Sequence, residues 1–368
     1  MSALNILKNI MLNDIKKLEI SSKSKINFLE KRMKEELSFH YNHKDCLVES
    51  PPIPKTMLLD LCNGCNHECI FCMSRLMDRK VSRMKHSLFT KIIDQAMDLG
   101  VEELGLYATG EPFMHTKLED FVKEAKDKGF RYVYISTNGA LIDERRLKKV
   151  IDSGLDSIKF SVNAGSRDAY YKVHGKDDWE KVIKNIKFVS EYRKKSKKKM
   201  LISVSYIVTN ISKNQKKDIE KLLSPFVDEI MFWDCGTQQG FMLANQGVLI
   251  DKKVSKIDFC NLPFNRLHVT SEGFLTLCCT DYENYLTVAD LNETKLINAW
   301  NNQLFISMRK RHLSGDLEGT LCYNCMNNTD NEMLPIDSDL SNQIDVKSFY
   351  LESRDNLKIE LKNRDNNK

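Results

Sequence analysis

The sequence predicts an α/β fold: a partial (β/α)6 barrel of the TIM type, followed by a small cysteine-rich auxiliary cluster domain. Three observations lead there. Six short apolar runs alternate with helix-like stretches between residues 55 and 235. Several of those stretches stop at a glycine, which closes a helix at little steric cost. The alternation ends after about residue 240, and five cysteines then fall between residues 258 and 330. Alternating β/α units build parallel sheets with right-handed crossovers, and six of them curve into an incomplete barrel.

The elements follow in order. Residues 1–50 carry Lys, Glu, Leu and Ile at helical spacing (Ile15, Leu18, Ile20; Ile26, Leu29, Met33) and predict a helical N-terminal extension of one or two surface helices. Pro51, Pro52 and Pro54 break it. The barrel is expected over 51–240. Its strands are Met57–Leu61, Glu103–Ala108, Tyr132–Ser136, Ser157–Val162, Leu201–Val208 and Glu229–Trp233. Between them lie helices at Ser87–Leu99, Lys117–Lys128, Asp143–Asp152, Trp179–Lys195 and Lys213–Leu223. The auxiliary domain is expected over 241–335. It contains a hairpin, Leu267–Thr270 and Phe274–Cys278, turning at Ser271-Glu-Gly273. The polar tail, 336–368, reads as a frayed helix or disorder.

Composition narrows the function. Lys and Arg total 56 against 51 Asp and Glu, too balanced for a nucleic-acid binder. The basic run from Arg193 to Lys199 reads as a solvated helix end. No stretch reaches the ~18 uncharged apolar residues of a membrane helix. Met1–Leu12 carries Asn5, Lys8 and Asn9, which suits an amphipathic helix better than an export signal. The 11 cysteines, clustered and without an export signal, point to metal in a reducing, cytoplasmic setting.

The cysteines carry the chemistry. Cys65-x3-Cys69-x2-Cys72 lies just past the first strand, at the barrel edge where catalytic residues gather. Three thiolates on one loop hold three irons of a four-iron cubane and leave the fourth open to a chelating ligand. The competing reading adds Cys62 and makes two C-x2-C pairs of a zinc knuckle. Its pairs are only three residues apart, against the ~15–20 of a zinc ribbon. Cys62 then reads as a buried, inert thiol. The second set is Cys260, Cys278, Cys279, Cys322 and Cys325. Four thiolates close a metal site completely, as a second cluster or a structural zinc. Cys279 is the expected bystander, although it could exchange roles with Cys278.

The cysteine loop, the barrel rhythm and two further motifs resemble the radical S-adenosylmethionine superfamily over roughly residues 55–235. The resemblance implies that Cys65, Cys69 and Cys72 ligate a [4Fe–4S] cluster. That cluster binds S-adenosylmethionine and cleaves it reductively to a 5′-deoxyadenosyl radical, which abstracts a substrate hydrogen. It places Phe71 near the adenine and Gly110-Glu111-Pro112 at the methionine moiety, with Gly110 admitting the ligand and Glu111 accepting from its ammonium. It implies contacts from Ser136 and Asn138, and from Ser161 and Asn163, to carboxylate and ribose; ordinary turn chemistry is the alternative for these. The second set resembles the SPASM auxiliary domain, and more closely its reduced twitch form, with Cys260, Cys278, Cys322 and Cys325 as ligands of one auxiliary [4Fe–4S] cluster.

An auxiliary cluster without an open site suggests a dehydrogenase-type radical oxidoreductase, in which the substrate radical loses a proton and passes its electron on. By resemblance Asp281 is the base, against a solvated turn carboxylate. Trp233, Asp234 and His268 are candidates for substrate contact, and a flavodoxin- or ferredoxin-type partner supplies electrons. With no peptide-recognition domain in residues 1–50, a small carbohydrate-like metabolite is slightly favoured over a peptide. A reading of another class is a zinc-bound scaffold without catalysis.

Overall fold

In a computed structural model of the chain, residues 18–34, 47–236, 257, 259–329 and 331–340 are described. The six expected strands form: β2 (Thr56–Leu59), β3 (Glu103–Gly105), β4 (Tyr132–Thr137), β5 (Ser157–Ser161), β6 (Leu201–Val208) and β7 (Glu229–Asp234). They lie side by side, parallel and in chain order.

Period-two alternation explains the interior. Val133, Ile135, Ile158, Phe160, Ile202 and Val204 are fully buried. They share one face of the sheet with helices such as α1 (His86–Asp98), α2 (Leu118–Asp127) and α3 (Glu144–Asp152), whose apolar stripes complete the core. The alternate positions, Tyr132 and Tyr134, Ser157 and Lys159, and Ser203 and Ser205, line cavities on the other face. The barrel is therefore apolar outside the sheet and aromatic or polar within it.

Two additions to the sheet correct the sequence reading. Leu18–Ile20, expected on a surface helix, is a strand (β1) antiparallel to β7, with Leu18 opposite Trp233. An open β7 edge leaves a row of backbone groups unpaired, and pairing them outweighs helical spacing over three residues. Residues 28–34, downstream, are helical. The expected hairpin forms as β8 (Leu267–Val269) and β9 (Phe274–Thr276), but β8 also pairs in parallel with β2, Met57 opposite Leu267. With β10 (Thr287–Asp290), the strands make one ten-stranded sheet running from the barrel into the cysteine-rich region. The remaining residues of 1–50 and the tail from 341 lie outside the described residues.

Within the barrel one helix was not anticipated, and neither were the helices of the cysteine-rich region. Arg167–His174 (α4) has Ser166 as its N-cap, accepting from Ala169 N, and Gly175 at φ +73° closing it. Its last residue faces the cysteine loop. The helices Trp179–Ser196 (α5) and Lys216–Leu223 (α6) complete the barrel's outer layer, and Leu262–Asn265 (α7), Leu296–Trp300 (α8), Gln303–Ser314 (α9) and Leu321–Asn327 (α10) surround the second cysteine set. No described helix is long and apolar enough to cross a membrane.

Candidate active site

The C-terminal ends of β3 to β6 and the cysteine loop enclose a cavity of about 240 Å³. Cys65, Cys69 and Cys72 line it. Burial pushes all three thiols above their ordinary value; at Cys69 the charges of Cys72 and Cys65 add to it. Gathering three thiolates is thus unfavourable in bare protein, and a bound metal offsets that cost. The donor set fits a cluster held by three sulfurs. Cys62 is buried and its Sγ rests 4.0 Å from Gly64 O, off the cavity.

The turn at Gly110 clamps this loop. A Cβ at Gly110 would lie 2.1 Å from Cys62 O and 2.6 Å from Gly64 O. The close approach that glycine permits here is to the cysteine loop, where the sequence reading placed the ligand. Glu111 N donates to Gly64 O at 2.9 Å. The Glu111 carboxylate, 3% exposed, accepts from Thr137 Oγ1 (2.6 Å), Asn138 N (2.8 Å) and Phe113 N (3.1 Å). It braces the β4 turn against the Gly110 turn, and burial raises its pKa to about 7. Pro112 opens a short 3-10 turn and does not line the cavity.

Phe71, Gly110, Glu111, Ser136, Asn138, Ser161 and Asn163 all line the cavity. Asn138 Nδ2 donates to Asn66 Oδ1 at 2.9 Å and lies 3.8 Å from Cys65 Sγ. Asn163, at φ +57°, accepts from Ile207 N at 2.7 Å. Phe71 packs on Ile70, Val173 and Cys235.

Sequence reasoning missed three residues. His174 Nδ1 lies 3.4 Å from Cys69 Sγ and 3.2 Å from His67 Nδ1, while its Nε2 meets Val162 O at 2.8 Å. His67 Nε2 meets Asp178 Oδ2 at 3.1 Å. His67 was legible as a histidine inside the cysteine motif; His174 needed α4, whose Ser166 and Gly175 caps were its signal. Tyr282 lines the cavity with its hydroxyl 3.6 Å from Cys72 Sγ, and only the tertiary fold reveals that contact.

In the second set, burial and the charges of Cys260, Cys278 and Cys325 push the Cys322 thiol well above its ordinary value, so these thiols are neighbours in the fold. Cys279 interacts with Cys278 and Cys260 of this set, and its charge is also felt by Tyr107 and Lys159, which line the cavity. Asp281, expected as a base, is 1% exposed and does not line the cavity. Its oxygens accept from Thr276 Oγ1 (2.8 Å), Leu286 N (2.8 Å) and Tyr285 N (2.9 Å), the geometry of a carboxylate holding a turn. His268 is buried in β8 and lines neither of the two barrel cavities; Trp233 lines the lower one, and Asp234 is exposed.

A parallel β/α barrel with three thiols lining one cavity at its strand ends, and a second group of neighbouring thiols in the region that follows, defines a class of iron–sulfur protein. Residues 59–224 match the Radical SAM superfamily, and residues 260–326 match SPASM, an iron-sulfur cluster-binding domain. The chain carries a radical S-adenosylmethionine domain followed by a SPASM domain; its cofactors are [4Fe–4S] clusters and S-adenosylmethionine. It is 30% identical over 174 residues to an uncharacterized protein of Methanocaldococcus jannaschii, a match covering 47% of this chain and about half (54%) of the relative. The fold is similar to that of BtrN in complex with AdoMet and 2-DOIA (TM-score 0.52, 18% identity, 76% of this chain and 94% of BtrN). It is also similar to SuiB of Streptococcus suis bound to precursor peptide SuiA (TM-score 0.58, 14% identity, 80% and 74%).

Proposed function

We propose that this chain is a radical S-adenosylmethionine oxidoreductase of the dehydrogenase type, acting on a compact, carbohydrate-like metabolite inside the barrel. The observation that carries the reading is Tyr282. It belongs to the loop of Cys278 and Cys279, yet it lines the cavity and reaches Cys72. The segment that carries Cys278 therefore reaches the wall of the first site, which supports a one-electron acceptor on that side.

In this reading Cys65, Cys69 and Cys72 hold the first cluster, and Cys260, Cys278, Cys322 and Cys325 hold the second. Phe71, Gly110, Ser136, Asn138, Ser161 and Asn163 contact the nucleotide. When bound, these groups supply hydrogen-atom abstraction and a one-electron sink, so loss of one further proton completes a two-electron oxidation. The chain's own residues orient and enclose. Glu111 ties the β4 turn to the cysteine loop. His174 and His67 brace Cys69 from behind, as partners of metal ligands commonly do. Asp281 stays with its turn. A flavodoxin- or ferredoxin-type donor delivers the electron that starts turnover. A second cavity of about 350 Å³ in the lower barrel suits a small substrate and favours a metabolite over a peptide.

Anaerobic purification with iron and sulfide counting tests the reading. About eight irons are expected, falling to about four in a Cys322→Ala/Cys325→Ala variant that still forms 5′-deoxyadenosine with dithionite. Stoichiometric zinc in the cysteine loop, or no 5′-deoxyadenosine from the intact protein, would overturn it.

A further inference from the structure

The cysteine loop is hydrogen-bonded to a surface segment on each of its flanks. On one flank Glu68 N donates to His174 O of α4 at 3.0 Å, and Ile70 N to Val173 O at 2.9 Å. On the other runs the segment 80–84. Asn63 Nδ2 donates to Lys80 O at 2.9 Å, and Asn63 Oδ1 accepts from Ser82 N at 2.7 Å. Met84 N donates to Leu61 O at 3.0 Å. Asn63 is two residues before Cys65, so few bonds separate this surface from the first thiol set. The flanks differ in charge. On α4, Lys172 pairs with Asp168 at 2.9 Å and Lys176 with Glu68 at 3.4 Å. On the other flank Lys80, Arg83 and Lys85 are exposed, and among the described residues none pairs with a carboxylate. Arg83 Nε donates only to the Met114 carbonyl, at 3.1 Å. The acids around them are already paired, Glu272 with Arg79, Glu124 with His86 and Glu119 with Arg146. Asp78 is the one exposed carboxylate of the run 78–85. Val81 stands among the cations, 59% exposed and so close to the loop that a Cβ at Gly64 would lie 2.9 Å from its Cγ1. An apolar centre within a charged rim is the make-up of a small protein interface.

We propose that Lys80, Arg83 and Lys85, with Val81 at their centre, dock a small acidic one-electron carrier protein, and that electrons enter the first site through this face. The inference rests on the radical enzyme proposed above, which needs an electron to start turnover. One electron leaves the reduced group of the carrier, which is oxidised by one equivalent, and enters beside Cys65; no bond or proton is exchanged. The unpaired cations steer an acidic partner onto the face at low salt. Electron-transfer encounters bury little area, so a face of four side chains is large enough. A second copy of this chain is the poorer occupant, because its net charge is +5.

The test is calorimetric titration of the anaerobically reconstituted holoenzyme with an oxidised flavodoxin and, separately, an oxidised ferredoxin. At least one binds the wild type at low salt, and binding weakens as salt rises. Lys80→Glu/Lys85→Glu weakens it at least about tenfold, and Lys80→Arg/Lys85→Arg retains it. Lys172→Glu/Lys176→Glu, on the α4 flank, changes it less than about twofold. The rate of 5′-deoxyadenosine formation driven by the reduced carrier follows the binding, whereas the rate driven by dithionite, which needs no docking, stays at the wild-type value. The proposal fails if neither carrier binds the wild type, if Lys80→Glu/Lys85→Glu binds as the wild type does, or if the α4 pair carries the loss instead. An equal fall in the dithionite-driven rate would show that the substitutions disturb the loop itself, and also overturns it. So does a dimer in sedimentation that Lys80→Glu/Lys85→Glu dissociates, which would give the face to a second copy. Dithionite-driven 5′-deoxyadenosine formation by the wild type reports on the radical assignment alone. Its absence with carrier binding intact would sink that assignment and leave the docking face standing.

Discussion

Gly110→Ala isolates the contact on which the first site depends. The added methyl would meet Cys62 O at 2.1 Å, the Asn63 carbonyl carbon at 2.6 Å and Gly64 O at 2.6 Å. All three are backbone atoms of the cysteine loop, so no side-chain rotation relieves the clash. Ordinary contact begins at 3.4 Å, and the loop must retreat by more than 1 Å. Overpacking of this kind costs about 1–3 kcal/mol, and losing the Glu111 N to Gly64 O hydrogen bond adds about 1 kcal/mol. The functional loss is larger than the stability loss, because the displaced backbone carries Cys65 away from Cys69 and Cys72. Urea unfolding should show a deficit of about 2–4 kcal/mol. Iron counting should show the first site empty and the second filled, and 5′-deoxyadenosine formation should disappear. Gly100→Ala is the control: its Cβ meets nothing within 4 Å, and only its φ of +84° is strained, at a cost of about 1–2 kcal/mol. Wild-type iron content in Gly110→Ala would refute the clamp.

Three further predictions test other parts of the structure. Asp60 is 2% exposed, and burial raises its pKa to about 6, against the opposing hydrogen bond from Thr109. A raised carboxyl contributes stability that is complete below its unfolded value of 3.8 and disappears as pH rises through about 6, so the wild type should lose about 1 kcal/mol relative to Asp60→Asn between pH 5 and 8 in urea titrations; parallel pH profiles would exclude it. Arg309 is fully buried, donates to Pro263 O and Trp300 O at 3.0 and 2.8 Å, and packs on the Trp300 and Phe305 rings. Arg309→Met strands those carbonyls and should lower stability by about 3 kcal/mol or more, read as Tm, with iron lost first from the second set; an unchanged Tm would contradict this role. His174→Ala removes the brace behind Cys69, and its first cluster should surrender iron to a chelator at least about tenfold faster than the wild type; equal release would show that the histidine only packs.

Much of the fold was legible because two local signals agree along residues 55–235. Apolar runs of strand length alternate with amphipathic helices whose caps are written in the chain, such as Asp143 accepting from Arg146 N. What escaped was set by edges. Leu18–Ile20 has helical spacing, yet the open side of β7 recruits it; β8 reads as half a hairpin, yet β2 also needs a neighbour. Neither partner lies close in sequence, so no local pattern announces the pairing.

The candidate site divides the same way. The motif of Cys65, Cys69 and Cys72 determines its chemistry unaided, since three soft ligands within eight residues must share one loop whatever surrounds them. The spacing of Cys260, Cys278, Cys322 and Cys325 likewise marks a second thiol set. Tertiary structure alone decided how the two sets relate, through Tyr282 reaching Cys72, and which residues stand behind the ligands, through His174 and His67. It also decided that Asp281 holds a turn while Lys159 faces the barrel cavities. Ligand identity is a property of residue type and short spacing, which the chain states directly. The direction a buried charge faces depends on strand pairing and on which neighbours are already committed, and those are settled only when distant segments meet.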